Sequence, residues 1–167
     1  MSVKAPLVHR SWGLPVLTGA LAALAVAVMG STITEIGPWY NSLVQPRWAP
    51  PEAVYSMAWT AIYLFTAIAA VTAWRAMPDR QSAEFMIGLF ALNGFLNILW
   101  SMLFFRLHRP DWAMIEVVAL WVSIAVWIYV VWPRSMTAGL LLLPYLGWVT
   151  FAGYLNMMIV KLNGPFG

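Results

Sequence analysis

The sequence contains no cysteine and very little charge. Of its 167 residues only 9% are charged, whereas an average soluble domain carries about 25% charged residues. Without cysteine there is no disulfide, no thiolate metal ligand and no cysteine nucleophile. The nine lysines and arginines are scattered singly and the formal net charge is only +3. The sequence therefore has no row of basic residues that could contact the phosphates of a nucleic acid. We therefore expect neither a soluble fold nor a nucleic-acid partner.

Histidines and carboxylates are also scarce in the apolar part of the chain. The only histidines, His9 and His108, lie outside the long apolar stretches, which excludes a haem or zinc site held by histidines inside a membrane. Glu116 is the one carboxylate within these stretches, and we expect it to reach the membrane interface. No serine has a histidine base at membrane depth. We therefore expect no metal site and no cofactor, and any reaction would depend on a bound ligand or on tryptophan.

Apolar residues make up 62% of the chain. A helix that crosses about 30 Å of hydrocarbon needs roughly 20 residues with few charges, and the sequence predicts such spans at about 14–33, 53–74, 85–105, 112–132 and 137–160. The first resembles a signal peptide, but it exceeds the roughly 7 to 15 apolar residues of a cleavable one, so we expect it to be retained. We predict an all-α integral membrane protein, a single multi-pass domain over residues 1–167 built as a bundle of five transmembrane helices.

The connection between the first two predicted spans, residues 34–51, differs from the other, shorter ones. It contains three aromatic residues and four prolines. Proline fixes φ and removes a backbone donor, so we expect a stiff, irregular segment. Such a segment suits a lid over a cavity, and it suits equally a belt of aromatic anchors at the membrane interface.

Three predicted spans each carry aromatic and polar side chains along one helical face. These faces comprise Trp59, Tyr63 and Thr66 in the second span, Asn93, Asn97, Trp100 and Phe104 in the third, and Pro144, Trp148, Ala152 and Asn156 in the fifth. Flat aromatic surface combined with amides suits a large planar ligand with polar edges. Asparagine and tryptophan also join membrane helices without any ligand, and the spacing leaves both interpretations open.

Several short motifs resemble the TspO/MBR family of tryptophan-rich sensory proteins and translocator proteins. They are Trp39-Tyr40-x-x-Leu43-x-x-Pro46-x-Trp48-x-Pro50-Pro51, Trp59-Thr60-x-x-Tyr63, Asn97-x-x-Trp100 with Phe104-Phe105, and Pro144-Tyr145-Leu146-x-Trp148 with Leu155-Asn156. They cover about residues 39–156 in the family's order. The resemblance implies a five-helix bundle in the lipid membrane, a homodimer, and a pocket under the first loop that binds porphyrins and other hydrophobic ligands.

The resemblance also implies roles for individual residues. The implied ligand contacts are Trp59, Tyr63, Asn97, Trp100, Trp148 and Ala152, with Trp39 and Trp48 in the lid. Asn93 and Asn156 share the same helical faces and complete the predicted ligand-binding set. Asn93 stands where many members have glutamine. Gln45 replaces a frequent lysine before Pro46, so we expect a weaker grip on anionic ligands.

Three functions are consistent with such a pocket. The first is a membrane receptor or carrier for porphyrins with a regulatory or stress-sensing role. The alternative is a light- and oxygen-dependent porphyrin-degrading enzyme, in which Trp59 and Trp148 would be the catalytic residues. The third is a stress-response scaffold whose pocket regulates the binding of partner proteins. All three start from the same pocket, and the sequence leaves them open.

Overall fold

Long helices make up nearly all of the structure, a computed structural model that describes residues 17, 21, 24–26, 28–29, 32–34 and 36–166. Within these residues there is no β-strand, and four helices are long and apolar enough to cross a membrane. The prediction of an all-α, multi-pass membrane protein is thereby confirmed. Most of the predicted first span, 14–33, lies outside the described residues, so the fifth spanning helix stays a prediction.

The helices begin and end near the predicted boundaries. They are a short α1 (Pro38–Ser42), then α2 (Glu52–Ala76), α3 (Arg80–Ser101), α4 (Pro110–Val131) and α5 (Met136–Asn163). Pro110 begins α4, where its missing N–H costs no hydrogen bond. Asp79 caps α3, because its Oδ1 accepts a hydrogen bond of 2.7 Å from the N–H of Ser82. Ser135 caps α5 in the same way, through a bond of 3.3 Å from the N–H of Ala138.

The end of α3 departs from a regular α-helix. Met102–Arg106 form one turn of π-helix, a rare local widening that is frequent at functional sites. His108 follows with a φ of 53°, in the left-handed region that few residues other than glycine adopt. Within this turn Phe104 and Phe105 lie side by side with ring centroids 4.8 Å apart. The hydrophobic pattern of the sequence does not predict this change of helix type.

The bundle is tightly packed at one end and hollow at the other. In the second half of α2, Ala69 and Ala73 are fully buried and let the neighbouring helices approach closely around Trp127. In the first half of α2 the inward positions carry the large rings of Trp59 and Tyr63 instead. These rings hold the neighbouring helices further apart, so a cavity opens at the end of the bundle where residues 36–51 lie.

The outer surface of the helices is apolar. Leu64, Phe95 and Ile115 are 58%, 59% and 72% exposed in the isolated chain. Such a surface is a liability in water, whereas in a bilayer it contacts lipid hydrocarbon while the backbone bonds remain satisfied within each helix. Lipid is therefore the neighbour that these four helices are built to contact.

Candidate ligand-binding site

A cavity of about 460 Å³ lies between α2, α3 and α5, beside α1. This volume falls within the range of about 300 to 1,000 Å³ that is typical of small-molecule pockets. The predicted ligand contacts in its wall are Trp59, Tyr63, Asn97, Trp100, Trp148, Ala152 and Asn156. Side chains from three helices, grouped by helical face in the sequence, therefore converge on one space.

Trp39, Trp48 and Asn93 lie outside this wall. Trp39 stacks on His108 with ring centroids 4.1 Å apart and an interplanar angle of 13°. Trp48 stacks on the ring of Tyr154, with centroids 5.3 Å apart. The two indoles thus fasten residues 36–51, which we call the lid, to the bundle. Asn93 joins α3 to α4 instead, because its Nδ2 donates a hydrogen bond of 2.9 Å to Ser123 Oγ.

Asn97 is the centre of a polar network in the cavity wall. The hydroxyl of Tyr63 donates to Asn97 Oδ1 at 3.4 Å, and Asn97 Nδ2 donates to the hydroxyl oxygen of Tyr145 at 3.2 Å. The three residues belong to α2, α3 and α5, so the network connects all three helices around the cavity. Asn97 therefore joins the helices and also lines the cavity, so the two interpretations that the sequence left open, helix packing and a pocket, both apply to it.

Asn156 also has two roles. It lines the cavity, yet its side-chain amide is paired with the beginning of α4. When the amide is oriented so that both its nitrogen and its oxygen form hydrogen bonds, the nitrogen donates to the carbonyl of Pro110 at 3.0 Å and the oxygen accepts from the N–H of Met114 at 3.1 Å. Because its polar atoms are used in this way, we interpret Asn156 mainly as a link between α5 and α4.

Three donors in the cavity wall have no acceptor among the described residues. They are the hydroxyl of Tyr55 and the indole N–H groups of Trp100 and Trp148. A buried donor without an acceptor costs about 1–3 kcal/mol, so a ligand that brings acceptors to these positions would be stabilised. The wall suits a flat, hydrophobic molecule with oxygen or nitrogen acceptors along its edge.

Glu52 carries the only ionised side chain in the described part of the cavity wall. It lies in the first turn of α2, close to Tyr40 of the lid. Burial, together with the carboxylate of Glu52, raises the pKa of Tyr40, so the Tyr40 hydroxyl is neutral at pH 7. The described wall therefore combines one negative charge with neutral hydroxyl, amide and indole groups.

Glu116 is buried inside the helix bundle, although we expected it to reach the membrane interface. Its side chain is only 9% exposed, and neither carboxylate oxygen has a hydrogen-bond partner among the described residues. The prediction that Glu116 reaches the interface is wrong, because this position falls on the packed face of α4 between the buried residues Ala113 and Leu120. It does not line the cavity.

Other wall residues are absent from the predicted set of ligand contacts, although some of them belong to the quoted motifs. They include Tyr40, Glu52, Tyr55, Ser56, Thr60, Ser101, Phe105, Leu155 and Ile159. Tyr55 lies four residues before Trp59, so extending the stripe of α2 by one turn would have found it. Phe105 depends on the π-helical turn. Tyr40 lies in α1, a helix of five residues that is too short to show a periodicity in the sequence.

We expect alanine at positions 93 and 97 to separate helix packing from ligand binding. Asn93→Ala should lower stability in detergent by about 0.6–2 kcal/mol and leave the affinity for a ligand of the cavity unchanged, because Asn93 bonds Ser123 outside the cavity. Asn97→Ala should lower both, because Asn97 faces the cavity and bonds two other helices. Thermal unfolding and fluorescence titration measure the two effects. Equal losses of affinity in both variants would contradict this division.

One family model and several known proteins are similar to this chain. The model of the TspO/MBR family matches residues 17–162, a range that contains every residue of the described cavity wall. The tryptophan-rich protein TspO of Chlorobaculum tepidum is 38% identical over 157 residues, which cover 89% of this chain and 97% of that protein. Protein CrtK of Rhodobacter capsulatus is 34% identical, with coverages of 86% and 91%. The translocator protein of Bos taurus is 32% identical, with 75% of each chain covered.

Proposed function

Because this chain belongs to the TspO/MBR family, we propose that it is a membrane receptor or carrier that binds porphyrins and similar flat hydrophobic molecules in the cavity. The observation that carries this proposal is the convergence of Trp59, Trp100 and Trp148 on one cavity. Indole rings stack on flat ligand faces, and the donors without partners match acceptors on the ligand edge. The name of one relative, translocator protein, agrees with passing on such a ligand.

The homodimer implied by the family resemblance is part of the same proposal. The apolar outer surface of the helices allows a second copy to replace lipid, since helix association in a bilayer depends on packing. Light scattering of the purified protein in detergent measures its mass. A mass of one chain would count against the dimer without affecting the binding proposal.

Titration with protoporphyrin IX in the dark tests the binding proposal. We expect saturable quenching of tryptophan fluorescence, because a porphyrin in the cavity would lie against several indoles. A tryptophan derivative dissolved in detergent micelles serves as the control, and the quenching of its fluorescence should not saturate. Unsaturated quenching by the protein as well would contradict the proposal.

A pair of indoles favours a second candidate function, light- and oxygen-dependent degradation of the bound porphyrin. Trp59 and Trp148 both line the cavity and meet edge to face, with ring centroids 6.5 Å apart. In this reaction molecular oxygen would be the oxidant and the porphyrin would absorb the light. Illumination of the complex tests it. Faster porphyrin loss with the wild type than with a Trp59→Phe/Trp148→Phe double variant would support the enzyme, and equal rates would oppose it, because free porphyrin also bleaches.

We expect the charge at the cavity to favour neutral ligands over anionic ones. A ligand carboxylate near Glu52 would be repelled, and the described wall offers no cation to compensate it. Protoporphyrin IX dimethyl ester should therefore bind several-fold more tightly than the free acid. Glu52→Gln should reduce this preference. Glu84→Gln, which removes an exposed carboxylate near the beginning of α3, should preserve it, and equal preferences in both variants would contradict the expectation.

A further inference from the structure

One side chain ties the lid to the end of α5. Asn163, the last residue of α5, contacts Val44 in the middle of the lid, 119 positions away in the sequence. The N–H of Val44 donates to Asn163 Oδ1 at 2.7 Å, and Asn163 Nδ2 donates to the carbonyl of Val44 at 3.0 Å. The same Nδ2 donates to the carbonyl of Ile159 at 2.9 Å. The amide of Asn163 thus pairs with backbone groups on both sides.

This pair of hydrogen bonds differs in kind from the other contacts of the lid. Trp39 and Trp48 hold the lid on either side of Val44 by ring stacking, which tolerates sliding and tilting. Val44 itself is 56% exposed, so its side chain buries little surface. Two directional bonds to its backbone therefore determine where the middle of the lid lies.

We propose that Asn163 is a positioning residue that holds the lid over the cavity and sets the rates at which ligand enters and leaves. This inference rests on the proposed function. Tyr40 of the lid lines the cavity together with Ile159 of α5, so the lid forms part of the wall. Opening the wall on this side moves the lid away from α5 and breaks both bonds between Val44 and Asn163.

Two substitutions should break this connection in different ways. Asn163→Ala removes both bonds to Val44. Asn163→Asp keeps the shape and the acceptor for the Val44 N–H, but it places a carboxylate oxygen against the carbonyls of Val44 and Ile159, where a donor is required. Each hydrogen bond contributes modestly, so losing the pair should favour the open lid by about tenfold. Asn41→Ala is the matched control, because it removes an exposed lid amide that is not part of the pair.

Backbone hydrogen exchange of the ligand-free protein tests whether Asn163 holds the lid. We expect exchange of residues 39–49 to rise about tenfold in Asn163→Ala and Asn163→Asp, since the open lid is then more populated. Exchange within α2 to α5 should stay unchanged, and Asn41→Ala should match the wild type. Backbone hydrogen exchange of the lid at wild-type rates in both Asn163 variants would overturn the proposal.

Stopped-flow measurements with protoporphyrin IX test whether the lid is the gate. Association and dissociation rate constants should both rise about tenfold in the two Asn163 variants, with Kd nearly unchanged, because the lost bonds destabilise the closed lid equally in the free and in the bound protein. A role limited to bundle stability would lower the melting temperature without faster association, and that result would overturn the proposal. Faster lid exchange with unchanged ligand rates would also overturn it. A wild type that binds no porphyrin would refute the proposed function, while hydrogen exchange would still decide whether Asn163 holds the lid.

Discussion

Replacing Trp148 with alanine should weaken binding of protoporphyrin IX about a hundredfold. Trp148 lines the cavity, and its ring lies 5.8 Å from that of Tyr55 and 5.4 Å from that of Phe151, measured between centroids. The substitution removes a large stacking surface and an indole donor that has no acceptor among the described residues. Truncating such an aromatic anchor typically costs about 2–4 kcal/mol, and a hundredfold corresponds to about 2.8 kcal/mol. Fluorescence titration in the dark measures the change.

Two further tryptophan variants make this test specific. Trp148→Phe keeps one aromatic ring but loses the N–H donor and part of the stacking surface, so we expect a loss of about tenfold. Trp121→Ala removes the same side chain from the outer surface of α4, where Trp121 is 39% exposed and donates to Thr150 Oγ1 at 2.8 Å. It should bind within about twofold of the wild type. Equal losses for Trp121→Ala and Trp148→Ala would mean that the ligand does not occupy the cavity.

The spanning helices were predictable because hydrocarbon thickness sets their length. The predicted spans 53–74 and 137–160 lie within the observed helices Glu52–Ala76 and Met136–Asn163. The observed ends extend further because hydropathy reports the lipid-facing part of a helix, whereas backbone hydrogen bonding continues into the interface. Asn163 lies in this unpredicted extension of α5, so its contact with the lid could not be derived from hydropathy.

The candidate site was predictable where helices are regular. Trp59, Asn97 and Trp148 were found because spacing by three and four residues determines which face of a helix a side chain occupies. Spacing does not give depth along the helix axis. Asn93 shares a face with Asn97 but lies one turn earlier in α3, where it bonds Ser123 instead of lining the cavity. Phe105 was missed because the π-helical turn changes the register of α3 at its end.

The largest loss of stability should follow Trp127→Ala, at the packed end of the bundle. Trp127 is fully buried and meets Phe90 edge to face, with ring centroids 5.5 Å apart. Packing provides much of the force between helices in a bilayer, and removing a buried indole leaves a void that costs about 3–5 kcal/mol. Unfolding in detergent measures this loss. Porphyrin affinity of the folded protein should not change, because Trp127 lies outside the cavity wall.

Trp127→Phe distinguishes ring packing from hydrogen bonding as the source of that stability. The indole N–H of Trp127 has no acceptor among the described residues, so phenylalanine loses no hydrogen bond, and the small void left beside its single ring should cost about 1–2 kcal/mol. If phenylalanine and alanine destabilised the bundle equally, packing against Phe90 would not be the cause. Opposite outcomes at Trp127 and Trp148, with stability lost in one variant and affinity in the other, would separate a tryptophan that builds the bundle from one that binds its ligand.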